Sequence, residues 1–522
     1  MSQRHVRFNV QELARHAADT VGARACTRIE KYPEGMYNKS MLLTMDNGSQ
    51  VVAKVPNPNA GLPHFTTASE VATMEFARTI LRTPVPKALA WSSQAQKNPV
   101  GAEYIIMEKA PGIELERVWP KMVAEDRFAV VKAIAGFQKA WTEVSFTKYG
   151  SLYFSEDLGK LQTDKEPLYI DANGAQITNH RFAVGPCTGR EWVDSGRAAI
   201  NFDRGPHQSL EEFHAAIGHR EISCVKQLPE LPKSPITLCG PGTYRPTREK
   251  KLKALHCYLE LIQFLLPADR TISSPHLWHS DLHVANIFVD PSNPTKILSI
   301  IDWQSTELSP LYFQARQPQI IDYDGGPSPT GSGGLLDRPQ LPKDFKTLDP
   351  SSPARRRAQA LFLQQSLCVL YNTMTHRKIP LLYAALQFQQ TPSYLLLLLA
   401  RNLLIDGEAT YLAHVADLES SWDDFFSVAT TGKNSPPYPF AFSAQEHREF
   451  DADAEGAAHG MEVMREVKES LGELFPEQGL VRSELYNEAL HALAQVKEQV
   501  IDAFARDGGE REKWEKGWPF GT

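Results

Sequence analysis

Several things are scarce in this 522-residue chain, and each scarcity excludes something. Cysteine occurs six times (Cys26, Cys187, Cys224, Cys239, Cys257 and Cys368) and never as a C-x-x-C pair. That spacing indicates neither a zinc site nor a disulfide framework, and it fits a reducing compartment. Long apolar runs are absent. The longest, Tyr394 to Ala400 and on to Ile405, is broken by Arg401 and is too short for a membrane span, so it predicts a buried helix. There is no basic excess: the net charge of -7 argues against a general nucleic-acid binder. No secretory signal and no internal repeat is visible. What remains, 42% hydrophobic and 22% charged residues, is the composition of a globular chain able to bury a large core.

The acids are not evenly spread. Residues 444–475 hold nine acids against three bases. Such a stretch attracts a cationic ligand or forms a solvated helix face. At the N-terminus, Arg4, Arg7, Arg15 and Arg24 give a transit-peptide bias. Yet Val10, Leu13, Ala14, Ala17, Ala18 and Val21 form one helical stripe, with Asn9 and Glu12 as a capping signal. A folded first helix and a cleaved presequence both fit.

Beyond it the pattern alternates. Thr27–Lys31, Ser40–Met45 and Gln50–Val55 predict strands, with Asp46-Asn47-Gly48 as a hairpin turn and Pro56 and Pro58 as a stop. A helix is predicted over Ala68–Arg82, ending before Pro84, then strands over Val85–Trp91 and Glu103–Met107. Val118–Val144 predicts a helix. Residues 150–274 are irregular, with helices near Leu210–Glu221 and Arg248–Leu265. Asn286–Val289 and Ile297–Ile301 predict two strands joined by the turn Pro291-Ser292-Asn293-Pro294. Gln317–Pro353 reads as a long surface loop, and the remainder as helices. The last two, Ala444–Leu474 and Ser483–Arg506, are separated by Pro476 and Gly479.

The segment His279-Ser280-Asp281-Leu282-His283-Val284-Ala285-Asn286 carries the chemistry. It has the form H-x-D-(x4)-N, then strand, turn, strand and Asp302 within Ile301-Asp302-Trp303. Transfer of a phosphoryl group to a hydroxyl needs a carboxylate to orient or take the hydroxyl proton, and oxygen ligands to hold magnesium. Asp281 is the candidate base; Asn286 and Asp302 are the candidate magnesium ligands. Antiparallel pairing brings the start of one strand beside the end of the next, which explains the spacing. Taken singly, Asp281 and Asn286 could cap a turn and His279 could be a core histidine.

These residues resemble the catalytic loop of the aminoglycoside phosphotransferase and choline-kinase-like family, a branch of the protein-kinase-like superfamily. Ser280 stands where that family has glycine. Lys31–Lys39, Val52–Pro56, Phe65–Glu70, Tyr104–Glu108 and Trp303–Thr306 are further similar to the fungal subgroup around altered inheritance of mitochondria protein 9. The resemblance implies an α+β, protein-kinase-like two-lobe fold, with a small antiparallel-sheet N-lobe and a large, mainly helical C-lobe. It implies ATP and Mg2+ as cofactors. Lys54, in an apolar strand, becomes the lysine that contacts the phosphates, with an exposed edge lysine as the alternative. Its carboxylate partner is Glu70 in preference to Glu75. Glu70 shares a face with Met74, Ala77 and Leu81, whereas Glu75 lies beside Arg78 and Arg82 and reads as solvated. Against this, Thr67-x-x-Glu70 is also a capping-box pattern. Gly35 and Asn38, in Glu34–Ser40, resemble the family's short phosphate loop. Met107, Glu108 and Ala110 resemble the hinge that binds adenine.

No Ala-Pro-Glu signature follows Asp302, and Gln304–Leu311 is short for a protein-kinase activation segment. A small-molecule hydroxyl acceptor is therefore expected, with no nucleic-acid partner and no membrane span. Arg190, Glu191, Trp192 and Arg204 are candidates to line its pocket. The alternatives are a catalytically silent pseudokinase scaffold and a protein kinase. The domains expected are an N-terminal helix or presequence (1–26), an N-lobe (27–107), a C-lobe (108–430) with an insert near 150–274, and a helical C-terminal extension (431–522). The subgroup resemblance implies a mitochondrial location, with the cytoplasm as the alternative.

Overall fold

The structure, a computed structural model, describes residues 5–33, 35–161, 166–322, 336–429, 436–475, 481 and 485–520. Its fold is α+β: a small antiparallel sheet followed by a helix-rich remainder, as expected.

Helix α1 (Val10–Thr20) begins where the sequence predicts it, with the Asn9 side chain accepting the N–H groups of Gln11 and Glu12. Strands β1 (Cys26–Lys31), β2 (Asn38–Met45), β3 (Gln50–Pro56), β4 (Ala88–Ser92) and β5 (Tyr104–Glu108) form a five-stranded antiparallel sheet in the order β1-β2-β3-β5-β4. Leu13, Ala17 and Ala18 of α1 pack on Met41, Leu43, Val51, Ala53, Val55 and Ile106, so the predicted stripe becomes one wall of the small-lobe core. Val10 lies outside that wall and is exposed.

Helix α2 (Phe65–Thr79) starts three residues before its expected first turn, because His64 takes a positive φ of 68° and launches the helix early. The chain then passes through β6 (Ile113–Glu114), the short α3 (Leu115–Val118) and α4 (Ala124–Thr142). The single helix expected over Val118–Val144 is thus interrupted, a 3-10 turn carrying Pro120 lying between α3 and α4. Short strands β7 (Ser145–Phe146), β8 (Ser151–Phe154), β9 (Tyr169–Ile170), β10 (Gln176–Ile177) and β11 (Phe182–Gly185) follow, the last four within the segment expected as an insert. Ala68 of α2 packs on Tyr153, Leu158 and Ala183 of the insert.

Helices α5 (Leu210–Gln227) and α6 (Arg248–Leu265) follow. Strand β12 (Pro275–Leu277) leads into the catalytic-type loop and the hairpin β13 (Ile287–Asp290) and β14 (Asn293–Ile300); β15 (Leu308–Pro310) then pairs with β12. The remaining helices are α7 (Leu311–Gln314), α8 (Pro353–Lys378), α9 (Pro380–Phe388), α10 (Pro392–Ala400), α11 (Glu408–Ala429), α12 (Ala444–Leu471), α13 (Tyr486–Phe504) and α14 (Gly508–Gly517). Much of the expected loop 317–353, residues 323–335, lies outside the described residues, as do the expected separators Pro476 and Gly479 and the expected helix start Ser483.

Two compact units result. One comprises Met1–Asp194, Arg204–Phe213 and Asp269–Thr391; the other comprises Ser195–Asp203, His214–Ala268 and Pro392–Thr522. The second unit holds two buried ionic clusters. Arg197 and Arg220 share the Glu221 carboxylate, and Lys251 binds Glu408 at 2.7 Å with both side chains fully buried. Its acidic helix α12 is partly neutralised by Lys250 to Asp453 and Lys253 to Glu446.

Candidate active site

Lys54 lies on the central strand β3, which excludes the edge-lysine alternative, and is 7% exposed. A buried ammonium needs charged partners, and two are present. Its Nζ donates to Glu70 Oε1 at 2.7 Å and to Asp302 Oδ1 at 2.9 Å. Glu70 comes from α2 and is 3% exposed. The capping box proposed for Thr67 and Glu70 does not form. The helix is capped at His64 without a side-chain bond, which leaves Glu70 free for Lys54. Glu75 does not reach Lys54; it pairs with Arg78 and Arg181 and is less solvated than its neighbours in sequence suggested.

The electrostatics follow from this geometry. Burial acts to lower the Lys54 pKa, but the charges of Asp302 and Glu70 outweigh it and hold the ammonium above its ordinary range. Burial raises Glu70, with Lys54 opposing. Asp302 keeps an exposed face, but the protein packed around it partly desolvates its carboxylate and acts to raise its pKa; Lys54 overcomes this and holds the carboxyl below the usual carboxylate range.

Hairpin pairing puts Asn286 and Asp302 side by side. Ile287 faces Ile300, and the Ile301 N–H donates to the Asn286 carbonyl at 3.0 Å. The Asn286 Nδ2 donates to the Asp281 carbonyl at 2.9 Å, so the amide is oriented by the loop that carries Asp281. Asp302 adopts a left-handed φ of 64°, a conformation rare outside glycine but one that Asp and Asn tolerate best. No sequence pattern announced it.

Two histidines brace the loop. His279 accepts the Asp281 N–H at Nδ1 (3.2 Å), and its Nε2 donates to the Ile301 carbonyl (2.9 Å). Its ring stands edge-on to the buried Trp303 at 4.6 Å. It therefore fixes Asp281 relative to Asp302, while burial holds its pKa down. His283, which sequence reasoning did not single out, lies 3.4 Å from the Asp281 carboxylate. That contact lowers the Asp281 pKa and raises that of His283. The H-x-D-x-H spacing was the available signal.

Gly112, with φ of 87°, ends the hinge-like segment. A Cβ there would lie 2.2 Å from the Val289 carbonyl oxygen, so only glycine lets β6 pair with β13. Just upstream, the Glu108 N–H donates to the Lys87 carbonyl (3.0 Å), and among the described residues the Ala110 N–H has no acceptor. Met107 is partly buried on β5. Gly35 is exposed, and Glu34 lies outside the described residues. Asn38 opens β2; its Nδ2 donates to Gln304 Oε1 at 2.6 Å, so that nitrogen is held by protein and is not free for phosphate. Trp192 is fully buried and stacked on His207, and the Arg190 guanidinium is bound by backbone and by Asp194.

Lys54, Glu70, Asp281, Asn286 and Asp302, spread over 249 residues of sequence, thus meet within one compact unit. The profile of the phosphotransferase enzyme family matches residues 28–313, more than half of the chain. The chain belongs to that family. The kinase-like resemblance and the likeness to the fungal subgroup, both read from motifs, hold. A subtelomeric hrmA-associated cluster protein of Aspergillus fumigatus is 31% identical over 378 residues, 67% of this chain and 70% of that one. The altered inheritance of mitochondria protein 9, mitochondrial, of Yarrowia lipolytica is 25% identical over 315 residues. That alignment covers 57% of this chain and 52% of the relative, about half its length. A thermostable mutant of aminoglycoside phosphotransferase APH(4)-Ia, solved with ADP and hygromycin B, aligns over 86% of this chain and 99% of its own. The identity is 14% and the TM-score 0.35.

Proposed function

We propose that this family member transfers the γ-phosphoryl group of ATP to a hydroxyl of a small molecule, with Asp281 as the base. The observation that carries the reading is the Lys54 ammonium held between Glu70 and Asp302 at 2.7 and 2.9 Å, beside the loop of Asp281 and Asn286. An ammonium so placed pairs with phosphate oxygens and offsets the charge that spreads over them during transfer. Asp281 is half-exposed and, with His283 beside it, keeps its carboxylate ionised, as a proton acceptor for a hydroxyl must. The hinge-like Glu108 and Ala110 offer backbone groups to adenine, and Gly35 leaves the β1–β2 loop without a side chain where phosphates approach.

The donor set suits Mg2+. Asn286 makes its hydrogen bonds through Nδ2, which leaves Oδ1, and the Asp302 side chain is 42% exposed with one oxygen on Lys54. Among the described residues no group of three or more His, Cys, Asp or Glu could hold a metal. Magnesium commonly takes one or two protein oxygens and completes its shell with phosphates and water, so Asn286 and Asp302 suffice. Bound there, the ion supplies charge neutralisation at the phosphates. After Asp302 the chain runs within a few residues into β15, leaving no long segment to dock a protein substrate, which supports a small-molecule acceptor. The likeness to mitochondrial relatives supports a mitochondrial location, which imaging of the tagged protein tests against a cytoplasmic signal.

Calorimetric melting with and without ATP and Mg2+ tests nucleotide binding. At a hundredfold excess over Kd, ligand stabilises the folded state by about 2.7 kcal/mol, and the midpoint rises. Asp302→Ala should reduce that rise. No shift for the unaltered protein at millimolar ATP with Mg2+ would defeat the reading in favour of a nucleotide-free scaffold. A screen of metabolite extract with labelled ATP then identifies the acceptor.

A further inference from the structure

The loop between β1 and β2 is held from three sides. From the segment after β3, Asn57 Nδ2 donates to the Met36 carbonyl at 2.9 Å, and the Asn57 N–H to the Tyr37 carbonyl at 2.8 Å. From the insert comes Arg190. Its Nη1 donates to the carbonyls of Asn59 (3.0 Å) and Ala60 (2.9 Å), its Nε and Nη2 grip Asp194, and its guanidinium lies 3.8 Å over the Tyr37 ring. From beyond Asp302 comes Gln304, whose Oε1 accepts from Asn38 and whose Nε2 reaches the Ala60 carbonyl at 3.4 Å.

The last two supports share a root. The Gly189 N–H, adjacent to Arg190, donates to Glu307 Oε1 at 2.9 Å. A Cβ at Gly189 would lie 2.3 Å from that same oxygen, so a side chain there would displace the Glu307 carboxylate. Glu307 and Gln304 stand on the short run that follows Asp302. One stretch of chain therefore carries the aspartate and contacts both the Arg190 turn and the first residue of β2.

We infer that Arg190 and Gln304 form a clasp that sets how the β1–β2 loop closes over the phosphates of a nucleoside triphosphate, with Arg190 a positioning residue for that loop. The inference rests on the nucleotide reading above. A guanidinium has five N–H donors in a planar fork, and here both Nη1 protons, Nε and Nη2 are committed to protein. Four of the five are so engaged, which makes Arg190 a strut between the insert and the segment after β3. Only a planar, stacking cation can bind two carbonyls and a carboxylate while covering an aromatic face, so lysine is not equivalent.

The test uses the full chain with Arg190→Ala, Arg190→Lys and Gln304→Ala. Hydrogen exchange is followed at residues 35–40, and affinities are measured for AMP-PNP with Mg2+ and for adenosine. Adenosine engages the base site without touching the phosphate loop. In Arg190→Ala, exchange at 35–40 should quicken without ligand, and the triphosphate analogue should bind about tenfold more weakly. Adenosine affinity should stay unchanged, and Arg190→Lys should fail to rescue. Unchanged exchange overturns the clasp. Faster exchange with equal losses for both ligands, or with none, overturns the triphosphate role. If the unaltered protein binds neither ligand, the nucleotide reading fails, and the exchange difference alone then decides whether the clasp exists. Should Arg190→Ala fail to fold, Gln304→Ala, which removes a single side-chain bridge, answers the same questions.

Discussion

A buried carboxylate keeps its charge only while a cation stays beside it, and Glu70 has Lys54 at 2.7 Å. Lys54→Met strands Glu70, and breaking a buried pair from one side costs about 3–5 kcal/mol. Burial then raises the Glu70 pKa further above its unfolded value of about 4.3, so stability is retained below that pH and is lost as pH rises through the raised value. Thermal melts should therefore show a larger deficit at pH 8 than at pH 5, and an equal deficit would refute the account. For turnover, Asp281→Ala should lower the rate of phosphoryl transfer by about 10²–10⁴-fold while nucleotide affinity stays near that of the unaltered protein. A single-turnover assay beside a binding titration separates the two; an unchanged rate removes Asp281 as the base. These residues were legible because each carries chemistry that its strand or loop does not need. Lys54 interrupts an apolar run, and H-x-D-(x4)-N is too specific for a turn. The left-handed Asp302 was not legible, since it depends on where the chain goes next and not on residue type; the Asp281–His283 contact was signalled by the H-x-D-x-H spacing and passed over.

Among the elements, the hairpin of β13 and β14 does most to assemble the site, and β6 anchors it to the hinge-like segment. Gly112→Ala adds a left-handed strain of about 1–3 kcal/mol and a clash with the Val289 carbonyl. It should lower the unfolding midpoint in denaturant and weaken adenine binding together. A variant with unaltered midpoint would show that β6 tolerates displacement. The five strands of the small sheet were read from sequence to within three residues because alternation and the turn signals agree, whereas β14 begins at Asn293, inside the expected turn and four residues before its expected start. The start of α2 was misjudged because Thr67 with Glu70 has the pattern of a capping box, whereas the His64 backbone starts the helix three residues earlier. The break at Pro120 was passed over because the apolar spacing on either side nearly matches.

At the level of the whole molecule, every candidate catalytic residue belongs to the first unit, while the second is built from helices and buried ion clusters. Lys251→Met leaves the fully buried Glu408 without its cation and should cost about 3–5 kcal/mol. Affinity of the folded protein for ATP with Mg2+ should not change; a titration showing weakened binding would contradict that division. The class of fold was legible because a run of strands before helices, followed by the catalytic motif, admits few architectures. The two-unit division was not, since the second unit gathers three separate stretches of sequence. One feature reaches across the scales. The Lys54–Asp302 bond ties the small lobe to the large one before any nucleotide arrives. An ammonium has three protons; Glu70 and Asp302 take two, and among the described residues the third has no protein acceptor. On the nucleotide reading proposed above, a phosphate would join that bridge as a third party without first dislodging either carboxylate.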